Sequence, residues 1–191
     1  VGGLLSPNVA AYDHFSGTLH GLFAPNSYDL WTRIEDGVES PVEQYATSAV
    51  VDAAIDRIAA RTDPWLAYVA LHAPHKPYHV PPSHLHSVVF PEDRDLRTLA
   101  DARPYFEAAL EALDTEVGRL VDSLPTHVLV KTTIVLVGDN GTASEAVLPP
   151  LLPHKAKNSL YEGGIHVPLV VVGPDVVAPG REVTALVSAV D

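Results

Sequence analysis

At 191 residues, 47 % of them hydrophobic, the chain has the length and apolar content of one globular domain, and no apolar run approaches the ~20 residues of a membrane-spanning helix. Twelve Lys and Arg against twenty-four Asp and Glu give a formal charge of −12, a field that repels nucleic acid and anionic membranes. Cysteine is absent, which excludes disulfides, thiolate metal sites and a cysteine nucleophile within these residues.

Residues 1–40 are rich in Gly, Pro, Asn and aromatics without periodicity, and read as an irregular entry segment; 41–191 read as the α/β core part of the same domain. The opening "VGGLLSPN" has no basic region of the signal-peptide kind, and composition assigns no compartment. In "PVEQYATSAVVDAAIDRIAAR" the residues Val42, Tyr45, Ala46, Ala49, Val50, Ala53 and Ile58 recur at helical spacing. Pro41 suits the first turn of that predicted helix, and Asp63-Pro64 ends it.

"WLAYVALH", 65–72, is short, apolar and rich in aromatic and β-branched residues, as a buried strand is. The prolines of the following "APHKPYHVPP" forbid regular structure there. The charged run "PEDRDLR", 91–97, reads as a solvated loop. A second helix is predicted from Arg103-Pro104 to about Leu124, with Phe106, Leu110, Leu113, Val117, Leu120 and Val121 as its apolar face. A strand over 132–138, a loop of about twenty residues and a strand over 166–173 complete the order. Unalternating apolar strands separated by helices predict an α/β fold, its mostly parallel sheet covered by helices on both faces.

In such sheets ligands bind beyond the carboxyl ends of the strands. His72 and His75 follow one strand end, and Asp139-Asn140-Gly141 follows another. A turn would explain Asp-Asn-Gly, but a tight hairpin needs a partner strand at once, and "TASEAVLPPLLPHKAK" provides none. Asp139 and Asn140 offer hard oxygen donors, which select Ca²⁺ or Mg²⁺ over Zn²⁺. Lys157 adds a point charge for an anion, Gly163-Gly164 permits a sharp reversal into the last strand, and His75 is the natural proton donor to a leaving oxygen. The set suits cleavage of a charged ester, yet lacks a nucleophile. Trp31 and Trp65 read as core.

"YVALHAPHKPYHVPP", "ALDTEVGRLVDSL", "TTIVLVGDNGT" and "KNSLYEGGIHVPLVVVGP" follow one another as in the sulfatases of the alkaline phosphatase superfamily. "YDHFSG" and "VTALVSAVD" extend the resemblance over nearly the whole chain. It implies a sulfuric ester hydrolase acting on a small-molecule or saccharide sulfate ester, with a formylglycine nucleophile and a Ca²⁺ ion, Mg²⁺ being the alternative. It implies that Asp139 and Asn140 are metal ligands, that His75 protonates the leaving alcohol and binds substrate, and that Lys157 binds the sulfate.

The Cys/Ser-x-Pro-x-Arg stretch that yields formylglycine in that family is missing, since Ser6-Pro7 and Ser40-Pro41 have the wrong spacing. The expectation is therefore an internal fragment, inactive alone, whose nucleophile comes from a preceding segment. Three other readings stay open: a phosphonate monoester hydrolase or phosphodiesterase of the same superfamily, a non-catalytic metal module built on the histidines of 72–86, and a degenerate sulfatase-like protein with a scaffold role. Neither the particular ester nor the oligomeric state is legible.

Overall fold

A computed structural model describes residues 3–4, 6–90 and 102–187, so the charged run 91–97 lies outside the described residues. After a short helix α1 (Ser6–Val9) come three strands: β1 (Ser16–Gly17), β2 (Trp31–Glu35) and β3 (Val38–Val42). They form an antiparallel sheet in the order β1-β2-β3, with Trp31 opposite Val42 and Glu35 opposite Val38. The turn between β2 and β3 is Asp36-Gly37, with φ of 46° and 87°. Two consecutive positive φ values match the twist of a hairpin, which is why Asp-Gly is favoured there.

This hairpin corrects the irregular reading of 1–40, and the signal for it was present in "IEDGVE". It also moves Pro41 out of the expected helix and into β3, opposite Thr32. Proline is tolerated there because β3 is an edge strand. The Asp36 carboxylate then anchors the preceding segment, accepting hydrogen bonds from Asn8 Nδ2 at 2.8 Å and the Phe15 amide at 2.9 Å, and lying 2.8 Å from His14 Nδ1. These contacts, the Asn8 bond foremost, hold its pKa down at about 2.

Helix α2 spans Ala46–Ala59, and α3 spans Ala102–Asp122. The face α3 buries is Tyr105, Ala108, Ala109, Ala112 and Glu116, not the predicted stripe of larger residues; Leu110 is exposed. Alanines let the two helix axes approach closely, and α2 answers with Ala46, Thr47 and Val51. Buried Glu116 is held by Ser48 Oγ at 2.5 Å and Arg119 Nη2 at 2.6 Å, and Arg119 Nη1 reaches Asp52 Oδ1 at 2.7 Å. Leu22, Tyr28, Trp31, Tyr45, Ala73 and Leu85 join this helix pair in the core. Trp31 is buried as expected, its indole donating to the Gln44 carbonyl at 3.1 Å.

After the one-turn helix α4 (Thr126–Leu129), the strands β4 (Ile134–Val137) and β5 (Leu169–Val172) lie inside the segments predicted for them. Two expectations fail here. Residues 65–72 are not a buried strand: no ladder partner for them exists among the described residues, and Leu66 and Tyr68 are 86 % and 76 % exposed. Apolar sequence makes a buried strand only where neighbouring strands satisfy its backbone and cover its side chains.

The mostly parallel order also fails among the described ladders, since β4 and β5 pair antiparallel, Ile134 with Val172 and Val137 with Leu169. The connection between them begins and ends at one end of the sheet, pinned by the Gly138 amide on the Pro168 carbonyl at 3.0 Å. The chain must therefore run back along β4. Val135 to Val137 and Leu169 to Val172 are exposed, while the long helices pack on each other and α2 packs on β1.

Candidate active site

Asp139 and Asn140 leave the carboxyl end of β4, the first exposed and the second half-buried. The turn they occupy is clamped against the start of the last strand. The Gly141 amide donates to the Gly164 carbonyl at 3.0 Å, and the Lys157 amide donates to the Thr142 carbonyl at 2.9 Å. Lys157 thus sits beside the Asp139–Thr142 turn although fifteen residues separate Lys157 from Thr142 in sequence. Neither Asp139 nor Lys157 has a salt-bridge partner among the described residues.

The glycines make this clamp. A Cβ on Gly141 would stand 1.9 Å from the Gly163 carbonyl oxygen, and one on Gly164 would stand 2.1 Å from the Ser159 carbonyl oxygen. Gly163 and Gly164 are buried within the short helix α5 (Glu162–Ile165), and neither has positive φ. Close backbone approach, not the expected freedom to reverse direction, is what these glycines provide.

The irregular residues 142–152 are held from several sides. Arg103, from α3, donates to the Ala146 carbonyl. Lys76 forms an ion pair with Glu145, whose side chain is 11 % exposed. Burial pushes the Glu145 carboxyl up, but the Lys76 contact and further hydrogen bonds outweigh it and hold the pKa at about 2. Beside it, burial and the Glu145 charge raise the Tyr78 phenol above its ordinary range. The Lys76–Glu145 pair was not legible in the sequence, and it ties the histidine loop to the loop that follows Asp139.

Within the histidine loop the imidazoles differ in kind. His79 is structural: it stacks on Tyr28 with ring centres 3.7 Å apart, lies 3.0 Å from the Pro77 carbonyl through Nδ1 and 3.1 Å from the Tyr45 hydroxyl through Nε2. A carbonyl only accepts, so Nδ1 carries the proton and Nε2 accepts from Tyr45. Burial lowers its pKa in keeping with a neutral ring. His72 is half-buried, and burial and then the charge of His75 lower its pKa.

His75 is exposed, and its Nδ1 lies 2.9 Å from the Lys76 carbonyl. The same logic places the proton on Nδ1 and leaves Nε2 open to a ligand. Protonated at Nε2, this ring can deliver a proton outward.

Asp139 and Asn140 supply two hard oxygen donors, which suit a calcium-type cation as part of its shell. No cluster of three or more His, Cys, Asp or Glu able to hold a metal exists among the described residues. One ring nitrogen each of His75, His79 and His86 is engaged by a backbone carbonyl. A shallow cavity of about 190 Å³ adjoins the turn, lined by Asn140, Thr142, Gly163 and Pro168 and by Glu162 and His166, which pair at 3.0 Å. Among the described residues no helix is long and apolar enough to cross a membrane.

The family model described as Sulfatase matches residues 9–191. Arylsulfatase K of Xenopus laevis is 31 % identical over 96 residues, covering 49 % of this chain and 16 % of its own length. The uncharacterized sulfatase YdeN of Escherichia coli (strain K12) is 28 % identical over 192 residues, covering 97 % of this chain and 32 % of its own. Among solved structures, Ps i-CgsB in complex with k-i-k-neocarrahexaose superposes with a TM-score of 0.71 at 26 % identity, over 88 % of this chain and 41 % of that one. The chain spans about a third or less of these curated relatives. The likeness carries the α/β, alkaline-phosphatase-like fold expected from the sequence. The chain belongs to the sulfatase family.

Proposed function

We propose that these residues are one part of a sulfuric ester hydrolase that cleaves a small-molecule or saccharide sulfate ester. The observation that carries this reading is the backbone clamp that sets Lys157 beside the Asp139–Thr142 turn. In this reading the domain extends beyond residues 1–191, and the nucleophile, a formylglycine, comes from a segment outside them, because no cysteine and no Ser-x-Pro-x-Arg is present. The 191 residues alone turn over nothing.

Asp139 and Asn140 hold a cation, Ca²⁺ with Mg²⁺ as the alternative, which would neutralise the sulfate oxygens and polarise the ester. Lys157 binds the sulfate through its ammonium, a point charge with no competing ion pair among the described residues. His75 binds the same ester and protonates the departing alcohol from Nε2, its orientation fixed by the Lys76 carbonyl. The bound neocarrahexaose of the solved relative favours a saccharide over a simple aryl ester.

The test is Asp139→Ala in the complete protein, assayed on sulfate esters and matched phosphonate esters, with Ca²⁺ binding followed by calorimetry. Loss of both Ca²⁺ binding and sulfate release is expected. Undiminished activity would remove the metal assignment, and preferential phosphonate cleavage would make the protein a phosphonate hydrolase.

A further inference from the structure

We propose that Tyr28 is a positioning residue for His75, fixing through its hydroxyl the turn that decides which imidazole nitrogen faces a ligand. The catalytic consequence rests on the reading of His75 as the proton donor; the geometric claim does not. The Tyr28 hydroxyl donates to the His75 carbonyl at 2.8 Å, across 47 positions of sequence. It joins the edge-on Phe23 ring at 5.9 Å from His75 and the Lys76–Glu145 ion pair in holding a turn closed locally by the His75 amide on the His72 carbonyl at 2.8 Å.

The phenol itself cannot wander. Tyr28 is 1 % exposed, its ring stacked on His79 at 3.7 Å, with the Tyr45 ring 5.8 Å from it and 5.5 Å from His79. His79 is in turn fixed at both nitrogens. Burial, then the neighbouring Tyr45, raise the Tyr28 pKa, so the group remains a neutral donor.

The carbonyl that Tyr28 holds belongs to the peptide joining His75 to Lys76. Fixing that peptide plane fixes where Lys76 begins and hence where its carbonyl meets His75 Nδ1. Without the hydroxyl the peptide can rotate, the Nδ1–H contact loosens, and the ring gains the tautomer with its proton on Nε2. Delivery of a proton from Nε2 leaves the neutral Nδ1–H tautomer, which the Lys76 carbonyl stabilises by accepting from Nδ1.

Imidazole ¹⁵N spectra of the chain, taken where His75 is neutral, test this directly. The wild type is expected to show His75 as the Nδ1–H tautomer, Tyr28→Phe a mixture, and Tyr45→Phe no change at His75. Tyr45→Phe removes a hydroxyl from the same stack without touching the turn, so it reports general loosening. In the complete enzyme, Tyr28→Phe should lower kcat about ten-fold on an unactivated sugar sulfate and less than about two-fold on 4-nitrophenyl sulfate, with KM little changed.

An unaltered His75 tautomer in Tyr28→Phe, or an equal change in Tyr45→Phe, overturns the proposal. A tautomer change while His75→Ala shows no leaving-group dependence supports the positioning and removes the acid role. Should Tyr28→Phe not fold, the wild type still decides: a slowly exchanging Tyr28 hydroxyl proton close to His75 is expected, and its absence overturns the contact.

Discussion

Lys76 and Glu145 form an ion pair that joins the histidine loop to the loop following Asp139, two segments 69 residues apart in sequence. It fastens the histidine loop to the loop that follows Asp139, with Tyr78 beside the same carboxylate. Because the Glu145 carboxyl is held at about 2, against an ordinary 4.5, the pair contributes fully above pH 4.5 and fades as pH falls toward 2. Glu145→Gln should therefore flatten that part of the stability–pH profile and leave the profile around neutral pH parallel to wild type. Lys76 is 44 % exposed, so the loss at pH 7 should stay below about 1 kcal/mol, measured by urea unfolding.

Gly141→Ala is expected to damage the clamp severely. The added carbon would meet a backbone oxygen at 1.9 Å, which no side-chain rotation relieves. Hydrogen exchange should show the Gly141 and Lys157 amides losing protection together, because both bonds cross the same contact. Ca²⁺ affinity of the complete protein should fall with them. Retained protection at both amides would mean the turn accommodates a methyl group and that the clamp is not as tight as its distances imply.

Between α2 and α3 the packing depends on small residues. Ala112 is fully buried in the helix contact, so Ala112→Leu should cost about 1–3 kcal/mol by forcing the helices apart. Ala112→Gly is the complementary probe, expected to lose about 1 kcal/mol through helix propensity and about as much again through the lost buried methyl. A Leu variant as stable as wild type would place Ala112 at the edge of the contact.

Arg119→Ala strands the buried Glu116 carboxylate with Ser48 as its remaining partner. Removing one member of a buried pair is costly, but Arg119 is 42 % exposed and water can replace part of it. A loss of about 2 kcal/mol is expected in urea unfolding. The loss should shrink when Glu116→Gln is added, since no buried charge is then left uncompensated.

The candidate residues were legible because each sits at a fixed offset from a punctuated apolar run: Asp139 and Asn140 after "IVLV", His75 within "HAPH", Lys157 before "YEGG". The Asp36-Gly37 hairpin is equally legible, in the dipeptide and not in the composition of 1–40. On α3 the largest side chains do not mark the buried face. The close helix contact selected alanines and a paired glutamate instead.

By itself the sequence determined the family, the strand that delivers Asp139, and the two oxygen-bearing side chains that follow it. Those follow from local order and spacing, which do not change when the chain folds. Only the tertiary structure decided the contacts that act across large sequence separations: Tyr28 on the His75 carbonyl, Lys76 on Glu145, Gly141 against α5. No periodicity encodes such pairs, because their partners are chosen by how the elements pack and not by how far apart they lie along the chain.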